Sequence, residues 1–149
     1  MIGRFALNKG GINGIRKMWN SGGSSVRLSS GGITRMGLDH PSMAQIVKYN
    51  GVVTISGQVD VDAKDIVGQT KNVLKQVDSL LEQAGTDKSK LLTANIWLKN
   101  AEKDFATVNS MWNEWIDEGN KPARATVEAN MVSPDWLIEV QVSAAADNE

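Results

Sequence analysis

Residues 121–145 read KPARATVEANMVSPDWLIEVQVSAA, two alternating stretches separated by a Ser133-Pro134-Asp135 break. Proline cannot donate to a central ladder, and Pro and Asp favour turns, so the pattern predicts a β-hairpin closed at Val132-Ser133-Pro134-Asp135. Period two then places Ala123, Ala125, Val127, Ala129 and Met131 beside Trp136, Ile138, Val140, Val142 and Ala144. That face is apolar and suits a core. The other carries Arg124, Thr126, Glu128 and Asn130 beside Leu137, Glu139, Gln141 and Ser143, and suits a site. In this register Arg124 faces Ser143, Glu139 faces Glu128, and Arg124 and Glu139 share a face about 13 Å apart.

Upstream, Phe105, Val108, Met111, Trp112, Trp115 and Ile116 form a helical stripe over 101–117, with Asn100 as its cap. Before it, 91–98 alternates Leu92, Ala94, Ile96 and Leu98 with Thr93, Asn95 and Trp97, a strand. A second amphipathic helix is expected over 66–84, from Asp65 as N-cap to Gly85 as stop. Asn50-Gly51 fits a type I′ turn joining 44–48 to the β-branched run Val52-Val53-Thr54-Ile55. The order is ββαβαββ, an α+β domain with two helices on one face of a mixed or antiparallel sheet. The uncovered face would carry Thr54, Ser56, Thr93, Asn95, Trp97, Arg124, Thr126, Glu139 and Gln141. A tryptophan there favours an interface between subunits.

The 149 residues hold one domain with a real core, and 41% hydrophobic with 22% charged residues is a soluble globular balance. Without cysteine, disulfides and thiolate metal sites are excluded, and with His40 as the one histidine, a Ser-His pair or a multi-imidazole zinc site is disfavoured. Residues 1–36 contain Arg4, Lys9, Arg16, Lys17, Arg27 and Arg35 but no acid, and all 17 acidic residues fall from Asp39 onward. Residues 1–32 therefore read as a basic leader, either a transit peptide to the mitochondrial matrix or a disordered tail on a cytoplasmic protein. The domain is expected over 33–149. No apolar run reaches the length of about 20 residues that spans a membrane.

Ile55-Ser56-Gly57-Gln58, Gln69-Thr70 with Val73-Leu74, Ala84-Gly85, Ile96-Trp97-Leu98, Asp104-Phe105 with Asn109, Pro122-Ala123-Arg124 with Val127-Glu128, and Ile138-Glu139-Val140 occur in that order. Together they resemble the Rid (reactive intermediate deaminase) family, also called YjgF/YER057c/UK114, over about residues 33–145. The resemblance implies a chorismate-mutase-like subunit in a homotrimer with inter-subunit clefts. It also implies hydrolysis of 2-imino or enamine acids, such as 2-aminoacrylate, to 2-keto acids and ammonia, which spares pyridoxal-phosphate enzymes from damage.

On that footing the Arg124 guanidinium holds the substrate carboxylate by two parallel charged hydrogen bonds. Glu139 handles the attacking water. Ser56, Asn109 and Thr126 take supporting, substrate-binding places. Imines hydrolyse readily in water, so neither metal nor organic cofactor is required. Thr126 stands where many members carry cysteine, and Met43 where many carry tyrosine, which suggests an altered substrate range. Without the resemblance, Arg124 and Glu139 read as surface or interface ion-pair partners. The alternatives are a non-catalytic, carboxylate-sensing trimer and, with less support, RNA cleavage or translation inhibition. The acidic domain lacks the basic, aromatic-interleaved surface that nucleic acids favour.

Overall fold

The computed structural model describes residues 26–29 and 31–146. Most of the basic leader, with the apolar stripe through Ile12, Ile15, Met18 and Trp19, lies outside the described residues. The strands are β1 (Val26–Ser29), β2 (Ile33–Met36), β3 (Ile46–Tyr49), β4 (Val52–Gln58), β5 (Leu91–Leu98), β6 (Ala123–Glu128) and β7 (Ile138–Ala145). The helices are α1 (Ile66–Gln83) and α2 (Ala101–Trp115), with a 3₁₀ turn at Lys88–Lys90. All strands form one mixed sheet in the order β1-β2-β3-β4-β7-β5-β6, in which β5 and β6 are parallel and every other pair is antiparallel. The sheet thus starts at Val26, within the stretch expected to lie outside the domain. Gly31 and Gly32, at φ +96° and +74°, supply the turn that folds β1 back on β2.

Local chemistry explains the elements that match expectation. Asn50 and Gly51 take φ 48° and 71°, the left-handed pair that a type I′ turn requires between β3 and β4. Asp65 Oδ1 accepts from Gly68 N at 2.9 Å to start α1. At its end Gly85, at φ +75°, donates to Glu82 O while Thr86 N donates to Leu81 O, both at 3.0 Å, the paired bonds of a Schellman motif. Removing the cap with Asp65→Ala is expected to cost about 1 kcal/mol, read as a lower urea midpoint at unchanged slope.

Val73, Val77 and Leu81 of α1 and Val108 and Trp112 of α2 pack on Val53, Ile55, Ala94, Ile96, Leu98, Val140 and Val142 of the sheet. Both helices cover one face, as expected. Phe105 does not join them and is 44% exposed. The inward row of α2 is Asp104, Val108 and Trp112, spaced by four, which turns Phe105 about 100° away.

The largest correction concerns residues 121–145. β6 and β7 are not hairpin partners, because β5 lies between them. The chain leaves β5, crosses through α2 and returns in β6 parallel to β5, the connection that a helix between two strands permits. Residues 129–137 then carry it past β5 to the central position of β7. Ala123, Ala125 and Val127 consequently belong to the uncovered face of an edge strand, and Val127 is 51% exposed.

Among the described residues, no helix is long and apolar enough to cross a membrane. No group of three or more His, Asp or Glu side chains among them is placed to hold a metal ion.

Candidate functional site

Register fixes which face each candidate occupies. Arg124 pairs with Ala94 and Thr126 with Ile96, and both partners are buried under the helices. Arg124 and Thr126 therefore stand on the helix side. Glu139 pairs with Trp97 and belongs to the other, uncovered face. The expectation that Arg124 and Glu139 share a face is overturned: interposing β5 between their strands reverses the facing that a hairpin would have given. Their strands are about 10 Å apart laterally and their positions about three residues apart lengthwise.

At the helix-side edge, Arg124 Nη2 donates to Asn109 Oδ1 at 2.7 Å, and the guanidinium carbon lies 5.4 Å from the centre of the Trp112 ring. Asn109 and Trp112 are one helical turn apart on α2, so one helix face supplies both the tether and the platform. Both are neutral. Thr126 Oγ1, two residues along, is buried with no hydrogen-bond partner. Buried hydroxyls are normally satisfied, so this one is an exception, shared with the Thr70 hydroxyl on α1. Glu128, expected opposite Glu139, instead accepts from Ala101 N at 2.9 Å and fastens the end of β6 to the start of α2.

On the uncovered face, β4 carries a bulge between Ile55 and Gln58, where Ser56 and Gly57 together oppose Gln141 of β7. Glu139 lies over Gly57. A side chain at Gly57 would collide with Glu139 Oε1 and stand 2.9 Å from Cδ, so only glycine leaves room for the carboxylate. Burial raises the Glu139 pKa above its ordinary value, since desolvation penalises the anion. Ser56 is adjacent, but its hydroxyl donates to Ala44 O at 2.7 Å and holds the segment before β3 rather than projecting as a free polar group. Met43 lies half-buried in that same connection.

The structure thus brings Arg124, Asn109 and Thr126 together, sets Ser56 next to the Gly57–Glu139 contact, and separates the two groups by the thickness of the sheet. Sequence reasoning missed Trp112 as the arginine's platform and Gly57 as the seat of Glu139. The three-residue spacing of Asn109 and Trp112 was an available signal for the first. The second depends on a bulge that no local pattern marks.

These features define a small α+β domain with one covered sheet face, an edge arginine presented by a helix, and a half-buried carboxylate on the open face. The family model described as Endoribonuclease L-PSP matches residues 40–146, and the chain belongs to that family, whose members also carry the names RutC, YjgF and Rid. A RutC family protein of Haemophilus ducreyi is 36% identical over 118 residues, covering 78% of this chain and 99% of the relative. A crystal structure of a YjgF family member from Neisseria meningitidis superposes with a TM-score of 0.70 at 34% identity, covering 74% of this chain and 92% of the other. The Rid-family protein YyfA from Yersinia pestis, a protein of unknown function, gives 0.68 at 32% identity, covering 72% and 90%. β1 and β2 lie upstream of the family match.

Proposed function

We propose that this protein hydrolyses 2-imino and enamine acids, such as 2-aminoacrylate, to 2-keto acids and ammonia, and that it does so as a homotrimer with sites between subunits. One observation carries the reading: the Arg124 guanidinium is held by an amide and an indole, so its charge remains available to an incoming carboxylate. A 2-imino acid offers that carboxylate next to its electrophilic carbon. Asn109, which holds the guanidinium, and Thr126, two residues along the same strand face, complete the substrate-binding set of this reading. Family membership fits a deaminase or a small-molecule-binding role.

In the reaction a water oxygen attacks C2 and the C=N π pair moves to nitrogen. Glu139 accepts a proton from the water and returns it to that nitrogen, giving a carbinolamine; the same carboxylate then carries the hydroxyl proton to the NH2 group as the C–N bond breaks, so that ammonia leaves and the carbonyl forms. An enamine first takes a proton at C3 and loses one from nitrogen to become the imine. The raised pKa of Glu139 suits a group that must gain and lose a proton in one cycle. No step calls for a metal or an organic cofactor, because proton transfer and orientation are sufficient for imine hydrolysis.

Arg124 and Glu139 occupy opposite faces of one sheet, so a substrate touching both must lie between two copies. The open face supports such packing: Val127, 51% exposed, lies there beside Trp97, its partner in the β5–β6 ladder. Trp97→Glu is expected to shift the sedimentation profile from trimer to monomer and to abolish ammonia release with it. A fully active monomer would sink the inter-subunit site. The acid-free leader supports the mitochondrial matrix as the location, with the cytoplasm as the alternative, and import into isolated mitochondria distinguishes them.

Gly57→Ala tests the seat of Glu139. The displaced atoms end a flexible side chain, so stability should change by only about 1 kcal/mol, while kcat falls about 10–100-fold through a misplaced carboxylate. The direct test of function is ammonia release from freshly generated 2-aminoacrylate. Binding of a stable 2-keto acid without ammonia release would move the reading to a carboxylate-binding trimer. RNA cleavage, the activity in the family's description, has weaker support because the chain is acidic beyond its leader.

A further inference from the structure

We infer that Gln69 is a positioning residue for Glu139: its buried amide clamps the two loops that bound the β4–β7 pair where Gly57 and Glu139 meet. The inference rests on the proposed role of Glu139. Gln69 is 1% exposed on α1, and both ends of its amide are engaged. Oε1 accepts from Leu137 N at 2.8 Å, while Nε2 donates to Asp135 O at 2.8 Å and to Ala63 O at 3.1 Å. Asp135 and Leu137 lead into β7, and Ala63 lies in the segment that follows β4. A single side chain therefore spans the exit of one strand and the entry of its neighbour.

The position of the clamp matters because strand register is a two-state property. Leu137 is held on both backbone groups, its N–H by Gln69 and its carbonyl by Lys99 N at 3.0 Å. That starts the ladder at Ile138 opposite Leu98 and sets Glu139 opposite Trp97. A slip of one residue would exchange the faces of Ile138 and Glu139, moving the carboxylate into the core. An apolar residue of equal size would fill the same space but leave one N–H and two carbonyls without these partners. Arg124 stands on β6 on the other face, outside the reach of this network, so loosening the clamp should spare carboxylate binding and harm the chemical step.

The test uses Gln69→Met, which keeps the volume, and Gln69→Asn, which keeps an amide but is one methylene too short to hold both loops at once. For Gln69→Met, kcat on a freshly generated 2-imino acid is expected to fall about 10–50-fold with KM within about twofold. Amide exchange at residues 137–140 should rise about tenfold or more while residues 123–128 are unchanged. In a Glu139→Gln background the same substitution should change the residual rate by less than about twofold, because it acts through Glu139. Gln69→Asn should lie between wild type and Gln69→Met in each readout, and it serves alone if the methionine variant fails to fold. Unchanged kcat, exchange raised evenly across the sheet, or a full-sized loss in the Glu139→Gln background would each overturn the clamp. If the wild-type protein releases no ammonia, the proposed function fails, and the exchange measurement still decides whether Gln69 holds the entry of β7.

Discussion

Arg124→Ala is expected to lower kcat/KM for 2-imino acids by about three orders of magnitude while leaving the fold intact. The size follows from two charge-assisted hydrogen bonds to the substrate carboxylate, each worth about 1.5–3 kcal/mol. The fold should tolerate the change because Arg124 is exposed on an edge strand and its contacts, Asn109 and Trp112, are anchored by α2 itself. The thermal midpoint should therefore move by only about 1–2 °C. Arg124→Lys separates charge from shape. An ammonium keeps the charge but cannot form the planar fork or lie as well over the Trp112 ring, so a loss of about 10–100-fold should persist, mostly in KM. Steady-state ammonia release over a range of imino-acid concentrations makes both measurements. Equal rates for wild type and Arg124→Ala would remove the carboxylate clamp and the proposed function with it.

How far the fold could be read depended on the distance over which each decision was made. The β3–β4 turn, the Asp65 and Asn100 caps and the Gly85 stop involve neighbours within a few residues, and all appear where their chemistry put them. The pairing of β6 and β7 is a different kind of decision. Pro134 and Asp135 do break the chain, but residues 129–137 form a long connection that steps over β5 rather than a tight hairpin loop. Ala123 and Ala125 fit either a core or an open face, so alternation alone could not locate them. The cue that outweighs the turn signal is the helix between β5 and β6, because a strand–helix–strand order favours a parallel pair.

The site residues followed the same division. Arg124 and Glu139 were chosen from a resemblance, and their faces then followed the wrong pairing. The Gly57–Glu139 contact and the Gln69 clamp join residues remote in sequence, and only the assembled sheet shows them. Met43, Ser56 and Thr126 were legible as positions, yet the engaged hydroxyl of Ser56 and the orphan hydroxyl of Thr126 required the surrounding structure.

Glu139→Gln should abolish turnover and stabilise the protein at neutral pH, a combination expected of a carboxylate kept for chemistry rather than for folding. Glutamine preserves the shape over Gly57 but neither accepts nor returns a proton, so a loss of about 10²–10⁴-fold is expected. The stability change follows from the direction of the pKa shift. Burial raises the pKa in the folded state, so the folded protein binds the proton more tightly than the unfolded chain. Stability from this group is present below the ordinary glutamate value and is lost as pH rises through the raised one. Glutamine has no charge to desolvate and avoids that loss. The variant should therefore melt above wild type at pH 7, and the two curves should converge as pH falls below the ordinary glutamate range. The same shift places the acid limb of the wild-type rate profile above that range, since the water-activating form is the carboxylate. The melting comparison is made in an Arg124→Ala background, which removes the partner's guanidinium from the cleft, and in the rate profile the substrate carboxylate matches that charge. Melting curves and pH–rate profiles of both proteins make the comparison. A Glu139→Gln variant that melts lower at pH 7, or that retains wild-type turnover, would show that the carboxylate serves the fold instead.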